Sequence, residues 1–247
     1  MNNASVIIIG NEILSGRTLD QNSNFIAKRC SMLGLILGEI RVIPDIKKII
    51  KKTVIQASKN YKYVFVTGGI GPTHDDITAK SIAEAFKRKL VLNKLAKEIL
   101  VKHYNKSNIE LNKSRMKMAY IPERAKLIMN PVSGAPGFNI KNIWVMAGVP
   151  KIMQAMFIES VEPKLEKGKI ILSKTIKVNK AEGDIAEIID KIDNEYSTLE
   201  IGSYPLYNPP KIGTNIVFRS TNTQIINKGI KKLSSILEGR GILFSID

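Results

Sequence analysis

The sequence of 247 residues contains little cysteine and histidine and no long apolar run. Its single cysteine, Cys30, falls with Ile26 and Leu33 on one face of a predicted helix, which predicts a buried structural thiol. The two histidines, His74 and His103, are far apart in the chain. A zinc site built from cysteine and histidine is therefore not expected.

Membrane segments are also missing from the sequence. No apolar run approaches the roughly 18 residues that a membrane-spanning helix needs. The first apolar run, SVIII at residues 5–9, is short and follows polar residues rather than a basic leader. We therefore expect a cytoplasmic protein that makes no membrane contact.

Acidic residues are outnumbered, because 22 aspartates and glutamates against 38 lysines and arginines give a formal net charge of +16. Such an excess of positive charge suggests nucleic-acid binding. The lysines, however, are spread over nearly every predicted helix, on faces opposite the isoleucines, as in DIKKIIKKTVIQASKN. We therefore expect solvated helix faces and no nucleic-acid partner, although a basic surface helps to attract anionic substrates such as phosphates.

Through the first two thirds of the sequence, apolar runs of strand length alternate with segments of helical periodicity. This alternation is typical of β-α-β units and predicts an α/β fold with a mostly parallel sheet. The predicted strands are 5–10, 38–43, 61–66 and 142–148, and the predicted helices are 22–33, 45–59, 76–87, 93–104, 111–120 and 149–165.

After about residue 168 the pattern changes to strand, helix, strand, strand and helix. This order is that of a small α+β domain with an antiparallel sheet. The boundary is placed near EKGK, residues 166–169, which predicts domains at 1–167 and 168–247.

A glycine-rich loop, VTGGIGPTHDDITA at residues 66–79, follows the predicted strand YVFV. In an open parallel sheet, ligands bind beyond the carboxyl ends of the strands, where a glycine-rich turn lets main-chain N–H groups approach an anion. We predict such a turn at 67–73, because its glycines permit close backbone approach and its proline stiffens it. These residues are Gly68, Gly69, Gly71 and Pro72.

The loop lacks the lysine of a Walker A motif and does not follow the GxGxxG fingerprint. Two acids, Asp75 and Asp76, stand where the predicted helix begins. A purely structural alternative is open, in which Thr73 and Asp76 form a capping box and Asp75 complements the helix dipole.

Three further loops are predicted to meet the glycine-rich loop at the same edge of the sheet. The loop at 10–22 carries Glu12 and Asp20, and the loops at 130–138 and 146–150 are rich in glycine. Four glycine-bearing loops with interspersed acids predict a phosphate site with carboxylates for a metal ion.

These motifs resemble the molybdopterin-binding domain of molybdenum-cofactor biosynthesis proteins, in the version carried by the competence/damage-inducible protein A family. The matching segments are GNEILSGRTLDQN, VTGGIGPTHDDITAKSIAEAF, NPVSGAPGF and MAGVP, within residues 4–160. A similar domain is fused to FAD synthase in eukaryotes. The resemblance implies a three-layer α/β/α domain, and it implies a homodimer because family members are commonly oligomeric.

The resemblance also implies site residues. Asp76 matches an acid at the nucleotide-phosphate and metal site of related adenylyltransferases, and Asp20 matches their second acid, so both are expected to be catalytic. Asp76, with help from Asp20 or Asp75, is expected to hold a divalent ion, which is magnesium, manganese or cobalt. The candidate binding residues, from the loops and the resemblance together, are Glu12, Thr67, Gly68, Gly69, Gly71, Pro72, Thr73, Asp75, Thr78, Ser133, Gly134, Ala135, Pro136 and Gly137.

The chain departs from the family pattern in two loops. It reads Ser-Gly-Ala-Pro-Gly at 133–137, where relatives have Gly-Thr-Ala-Pro-Gly, and Ala147 and Ile152 replace a proline and a glutamate. Many family members continue into a domain that deamidates nicotinamide mononucleotide. This sequence ends at Asp247 without a matching segment, so no amidase activity is expected.

Three functions remain open from the sequence. The first is metal-dependent hydrolysis of nucleotide pyrophosphates such as ADP-ribose or FAD, an activity reported in the family. The second is adenylylation of molybdopterin, and the third is binding of a nucleotide or pterin without catalysis. The presence of both Asp20 and Asp76 favours catalysis.

Overall fold

The computed structural model describes residues 3–208 and 211–247, and the chain divides into two compact units, Met1–Gly168 and Lys169–Asp247. Each unit has its own buried apolar core. Within the described residues, no helix is long and apolar enough to cross a bilayer.

The first unit alternates strands and helices along the chain. Its strands are β1 (Asn3–Ile9), β2 (Ile36–Ile43), β3 (Tyr63–Thr67), β4 (Leu90–Leu92), β5 (Tyr120–Pro122), β6 (Lys126–Ile128), β7 (Gly137–Ile140) and β8 (Ile143–Met146). Its α-helices are α1 (Asn11–Leu14), α2 (Asn22–Met32), α3 (Lys47–Asn60), α4 (Thr78–Ala85), α5 (Lys94–Lys106), α6 (Lys113–Met116) and α7 (Pro150–Met156).

The main sheet of this unit has the strand order β2-β1-β3-β8-β7-β6. Strands β2, β1, β3 and β8 are parallel, whereas β7 and β6 are antiparallel to their neighbours. The mostly parallel sheet predicted from the sequence is therefore confirmed. Because parallel strands end at the same edge, the loops after β1, β3 and β8 meet there.

Alternate residues of the central strand β1 face opposite sides of the sheet, as strand geometry requires. Val6 and Ile8 pack in a core with α2 and α7, whereas Ile7 and Ile9 pack in a second core with α3 and α4. Helices therefore cover both faces of the sheet. This confirms the three-layer α/β/α arrangement that the resemblance implied.

Helix α4 starts later than the sequence predicts. The prediction places it at 76–87, but it runs from Thr78 to Ala85. The N–H of Thr78 donates to the carbonyl of Gly69 at 3.0 Å, and the N–H of Ile77 donates to the carbonyl of Asp75 at 2.8 Å. These bonds hold the preceding residues in a turn, so the prediction that Asp76 begins the helix is wrong.

Two other predicted helices change form along their length. The one predicted at 111–120 is α-helical only in α6, after which a 3₁₀ turn leads into β5. Pro122 in β5 disfavours helical backbone at the residue before it. The helix predicted at 149–165 is α-helical in α7 and then passes through a π turn into a 3₁₀ turn that contains Pro163, which has no N–H to donate.

The second unit is an antiparallel sheet packed against two long helices. Its strands are β9 (Leu172–Val178), β10 (Glu200–Asn208), β11 (Lys211–Ser220) and β12 (Phe244–Ile246), in the order β10-β11-β9-β12, and its helices are α8 (Glu182–Glu195) and α9 (Thr223–Gly239). Ile176 and Phe218 of the sheet pack with Ile188 of α8 and Leu233 of α9. The small α+β region predicted from the sequence is confirmed.

Candidate functional site

The glycine-rich loop lies directly beyond β3, and its glycines let neighbouring loops approach closely. Gly68 has φ +103°, and a Cβ atom there would lie 2.1 Å from the carbonyl oxygen of Ile9. Gly69 has φ +66°, and a Cβ atom there would lie 2.2 Å from the hydroxyl oxygen of Thr78. Only glycine fits such positions, so the loops after β1 and β3 meet backbone to backbone.

The loops enclose a cavity of about 520 Å³, which we call the acidic cavity. Its wall brings together predicted site residues from three separate loops. They are Glu12, the glycine-rich loop from Gly68 to Pro72, Asp75, Asp76, Ser133 and Ala135. The wall of the cavity therefore combines a glycine-rich main chain with carboxylates.

Asp45 is a fourth acid in this cavity, and the sequence analysis missed it. It follows β2 and accepts a hydrogen bond from the N–H of Asn11 at 3.0 Å. Burial raises the pKa of the Asp45 carboxyl most, whereas the bond from Asn11 lowers it. The charges of Glu12, Asp75 and Asp76 raise this pKa further. Asp45 is thus close enough to the other three acids of the cavity to be affected by their charge.

Asp76 closes the loop that precedes α4. Its carboxylate oxygen Oδ2 accepts hydrogen bonds from the backbone N–H of Thr73, at 2.8 Å, and from the Thr73 hydroxyl. The residue before α4, Ile77, makes no side-chain capping bond. The Thr73–Asp76 pair expected as a capping box therefore holds a loop and does not cap the helix.

Asp75 is fully exposed beside this loop. The nearby Thr73 side chain lowers the pKa of the Asp75 carboxyl most, although its hydroxyl proton is directed to Asp76, and the Asp75 N–H and the nearby His74 lower it further. Its ionised form is therefore favoured. Asp75 thus presents a stable negative charge to the acidic cavity.

Asp20, the second acid implied by the resemblance, does not line the acidic cavity. Its Oδ1 accepts hydrogen bonds from the N–H groups of Asn22, at 2.9 Å, and Ser23, at 3.2 Å, at the start of α2. It lines a smaller cavity of about 50 Å³ that adjoins the acidic cavity, with which it shares Glu12 and Gly148, and that also touches Thr67. The structure therefore places Asp20 and Asp76 in different cavities.

The buried Asn22 side chain connects the loops behind the acidic cavity. Its Nδ2 donates to the carbonyl of Gly148 at 2.7 Å and to the hydroxyl of Thr67 at 3.3 Å. Thr67 and Thr78 are fully buried, so these two predicted binding residues support the glycine-rich loop from behind.

The loop at 130–137 is organised by the side chain of Asn130. Its Nδ2 donates to the Ser133 hydroxyl at 2.7 Å and to the Ala135 carbonyl at 2.9 Å, and its Oδ1 accepts from the N–H of Ser133 at 3.0 Å. Gly134 has φ +72° and packs on His103, while Gly137 packs on the carbonyl of Val145. Of this loop, Asn130, Ser133 and Ala135 line the acidic cavity.

A second large cavity, of about 650 Å³, adjoins the acidic cavity. We call it the lysine-rimmed cavity, because the exposed Lys80, Lys113 and Lys117 contribute to its wall. Thr73 and Pro136, two further predicted site residues, also line it. The two cavities share residues that include Gly71 and Asp76.

The carboxylates of the acidic cavity have the chemistry of a magnesium site but not a complete set of protein ligands. Among residues 3–208 and 211–247, no group of three or more histidine, cysteine, aspartate or glutamate side chains is placed to hold a metal ion. Magnesium is often held by only one or two carboxylates, with water and substrate phosphate oxygens completing its coordination. The residues present therefore fit an ion that arrives with a phosphate substrate.

Two families match the chain. Residues 5–167 match the family described as a probable molybdopterin binding domain. Residues 170–245 match the middle domain of FAD synthase, rather than an amidase domain. The two matches together cover both units of the structure.

Individual relatives support these matches. A protein of Archaeoglobus fulgidus is 36% identical over 237 residues, which cover 95% of this chain and 98% of that protein. A Clostridioides difficile protein described as competence-damage inducible is 34% identical over 202 residues, which cover 77% of this chain and 48% of that protein. The crystal structure of the protein CinA from Thermoplasma acidophilum, described as of unknown function, is 34% identical with a TM-score of 0.58, covering 64% of this chain and 94% of that one.

Proposed function

Because this chain belongs to the family of the probable molybdopterin binding domain, we propose that it is a divalent-metal-dependent hydrolase of nucleotide pyrophosphates such as ADP-ribose or FAD. The observation that carries the proposal is the acidic cavity, whose wall contains both a glycine-rich loop and carboxylates. The match of residues 170–245 to a domain of FAD synthase supports a flavin dinucleotide among the substrates.

The main chain of the glycine-rich loop is proposed to hold one phosphate group. Gly68, Gly69 and Gly71 have no side chain to keep an anion away from the backbone, and all three line the cavity. Their packing against Ile9 and Thr78 fixes the loop before the substrate arrives. The N–H of Gly68 already donates to the carbonyl of Met146 at 3.2 Å, so the N–H groups of Gly69 and Gly71 are proposed to bind the phosphate. N–H groups that are already in place need no reorganisation during the reaction.

A cation is needed to reconcile the acids with a phosphate substrate. Asp75, Asp76 and Asp45 would repel a pyrophosphate if nothing lay between them. We propose that Asp76, with Asp75 or Asp45, holds a magnesium, manganese or cobalt ion. Such an ion would neutralise the negative charge that develops on the leaving phosphate.

Asp20, the other predicted catalytic acid, has a different role in this proposal. Asp20 holds the start of α2 through the N–H groups of Asn22 and Ser23. Asn22 in turn donates to Thr67 and Gly148. Asp20 is therefore a positioning residue for the loops around the acidic cavity.

The direct test is an assay of ADP-ribose and FAD hydrolysis with magnesium, manganese and cobalt. We expect AMP as a product of both substrates, and loss of turnover when the metal is removed by a chelator. Turnover no faster than that of the same metal without protein would overturn the proposal.

Adenylyl transfer to molybdopterin is the second candidate, and the match of residues 5–167 to the probable molybdopterin binding domain favours it. It predicts adenylylated pterin when the protein is incubated with ATP, magnesium and molybdopterin. Saturable binding of nucleotide or pterin without any product would instead indicate a binding protein.

We also propose that the protein is a homodimer in solution. The support is the oligomeric state common in the family it resembles. Light scattering coupled to size-exclusion chromatography tests this, and a mass near that of one 27.5 kDa chain would contradict it.

A further inference from the structure

We propose that the lysine-rimmed cavity binds the aromatic ring of the substrate, so that the substrate has one organic group on each side of its pyrophosphate. The cavity measures about 650 Å³, and of the residues assigned to metal or phosphate only Gly71 and Asp76 line it. The inference rests on the proposed function for the identity of the substrate.

The wall of the cavity suits a flat apolar ring. Ile77, Leu90, Met116, Tyr120 and Phe138 all contribute to it. The methionine sulfur is polarisable and makes favourable contacts with aromatic rings. Tyr120 is 40% exposed, so part of its ring is open to stacking. A nucleobase or flavin ring has the shape and polarity that such a wall accommodates.

The charges of the two cavities differ in sign. The acidic cavity holds Glu12 and Asp45, which do not line its neighbour, whereas the neighbour holds Lys113 and Lys117, which do not line the acidic cavity. Lysines attract phosphate as point charges. The pyrophosphate is therefore expected between a metal on the acidic side and lysines on the other.

The position of Asp76 fixes where the reacting bond lies. Asp76 and Gly71 line both cavities, so the two cavities meet at the residues assigned to metal and phosphate. A substrate whose pyrophosphate lies at this junction extends one organic group into each cavity. Nucleotide diphosphates such as ADP-ribose and FAD have this form, whereas ATP carries an organic group at only one end.

The two products of ADP-ribose hydrolysis separate the ring from the phosphate. AMP carries the ring and a phosphate, and ribose 5-phosphate carries a phosphate without a ring. Their binding to the full chain in magnesium buffer, by isothermal calorimetry, reports on the ring cavity without any turnover. Failure of hydrolysis would thus count against the proposed function and leave the ring site testable.

The first variant fills the cavity. Ala79 lies in α4 and lines the cavity, and leucine is well tolerated in helices. We expect Ala79→Leu to weaken AMP binding about tenfold or more, because the leucine side chain fills the space for the ring. The affinity for ribose 5-phosphate should change by no more than about twofold. Equal losses for both ligands would overturn the proposal, as would unchanged AMP binding.

The second variant removes charge without filling space. Lys113→Ala combined with Lys117→Ala is expected to weaken the binding of both AMP and ribose 5-phosphate. It should also make AMP binding less sensitive to salt. The matched control, Lys97→Ala with Lys102→Ala, removes the same charge from exposed positions on α5 and is expected to change neither.

Comparison of the two lysine pairs also defines a result that would contradict the proposal. If both pairs weaken AMP equally, net charge explains the effect and the lysines do not contact the ligand, which overturns that part of the proposal. No AMP binding by the unmodified protein at millimolar concentration would overturn the ring site itself.

Discussion

At the residue scale, the acidic cavity brings the carboxyl of Asp45 close to three other acids. Burial and these neighbouring acids raise the pKa of Asp45. The metal ion proposed for the cavity would offset this repulsion. Substitutions that remove one charge should therefore separate stability from activity.

Asp76→Asn is the sharpest such substitution. Asparagine still offers an oxygen to the N–H of Thr73, so the loop that Asp76 closes should persist. We expect a melting temperature close to that of the unmodified protein and a pyrophosphatase rate lowered by about a hundredfold or more, since a charge acting on the transition state is lost.

The exposed acid Glu98 on α5 provides the control for Asp76. Glu98→Gln removes one negative charge outside the acidic cavity and should leave the rate unchanged. An unchanged rate in Asp76→Asn would reduce Asp76 to a loop-holding residue and remove most of the proposed chemistry.

Asp45→Asn tests the acid that the sequence analysis missed. Removing its charge relieves repulsion from Glu12, Asp75 and Asp76, so the metal-free protein should melt at a higher temperature. Activity should fall about tenfold or more if the charge helps to hold the metal. A lower melting temperature, measured by calorimetry without metal, would show that the bond from Asn11 outweighs the repulsion.

The sequence predicts that Cys30 is a buried structural thiol, and the structure confirms that it is fully buried. Burial, and to a lesser degree Glu162, raises the pKa of its thiol to about 12 from 9.0. Since the unfolded thiol ionises first, stability falls as pH rises from 9.0 toward about 12.

The variant Cys30→Ala lacks this pH dependence. Its stability deficit relative to the unmodified protein should therefore shrink above pH 9.0, by about 1.4 kcal/mol per pH unit at most. Denaturant titrations of both proteins at several alkaline pH values measure the difference. A deficit that grows with pH would mean that the thiolate is stabilised in the fold.

At the element scale, the edge of the sheet is assembled by turns that only glycine permits. The loop after β3 touches the end of β1 at Gly68, where φ is +103° and the space for a Cβ atom is filled by the Ile9 carbonyl. The contact belongs to the backbone, so no side-chain movement can relieve it.

Gly68→Ala is therefore expected to destabilise the first unit by about 1–3 kcal/mol, and to impair phosphate binding as the loop shifts. Gly183→Ala serves as the contrast, because Gly183 lies in α8 with open space around its Cα and should gain about 0.5–1 kcal/mol. Urea titrations followed by circular dichroism measure both. A neutral Gly68→Ala would mean that the loops after β1 and β3 separate easily.

How much of these elements the sequence predicts depends on their length and pairing. The parallel strands β1, β2, β3 and β8 follow from apolar runs that end in glycine or proline. Strands β4, β5 and β6 have three residues each, too few for an alternating pattern. Strands β4 and β5 pair with each other although they are far apart in the chain, and β6 pairs antiparallel with β7. Their positions come from tertiary contacts.

The same dependence on tertiary contacts explains which acids of the candidate site the sequence predicts. Asp75 and Asp76 lie in a recognisable loop, so the sequence points to them directly. Asp45 reaches the cavity only because β2 lies beside β1 in the sheet, and locally Pro44-Asp45 has the pattern of a helix start. Asp20 matches the family in sequence, but its carboxylate is bound by the backbone of α2.

At the scale of the whole molecule, two opposite charge distributions coexist. The chain carries a net charge of +16, while the acidic cavity gathers Glu12, Asp45, Asp75 and Asp76. A basic surface increases the local concentration of an anionic substrate before it reaches the cavity. The acids act only at short range, where the proposed metal offsets them.

This contrast predicts a specific salt dependence for hydrolysis of ADP-ribose. The Debye screening length shortens from roughly 14 Å at 0.05 M salt to about 4 Å at 0.5 M salt, so long-range attraction to the basic surface should be lost. We expect kcat/KM to fall by about tenfold over that range while kcat changes little, because the acids, the metal and the phosphate interact at contact distance. Steady-state assays at fixed free metal, with sodium chloride varied, measure both constants.

Because the surface lysines are spread over many helices, the control Lys97→Ala with Lys102→Ala should keep the same dependence of kcat/KM on salt. A kcat that falls in parallel with kcat/KM would place the effect inside the cavity and show that the excess positive charge plays no part in attracting the substrate.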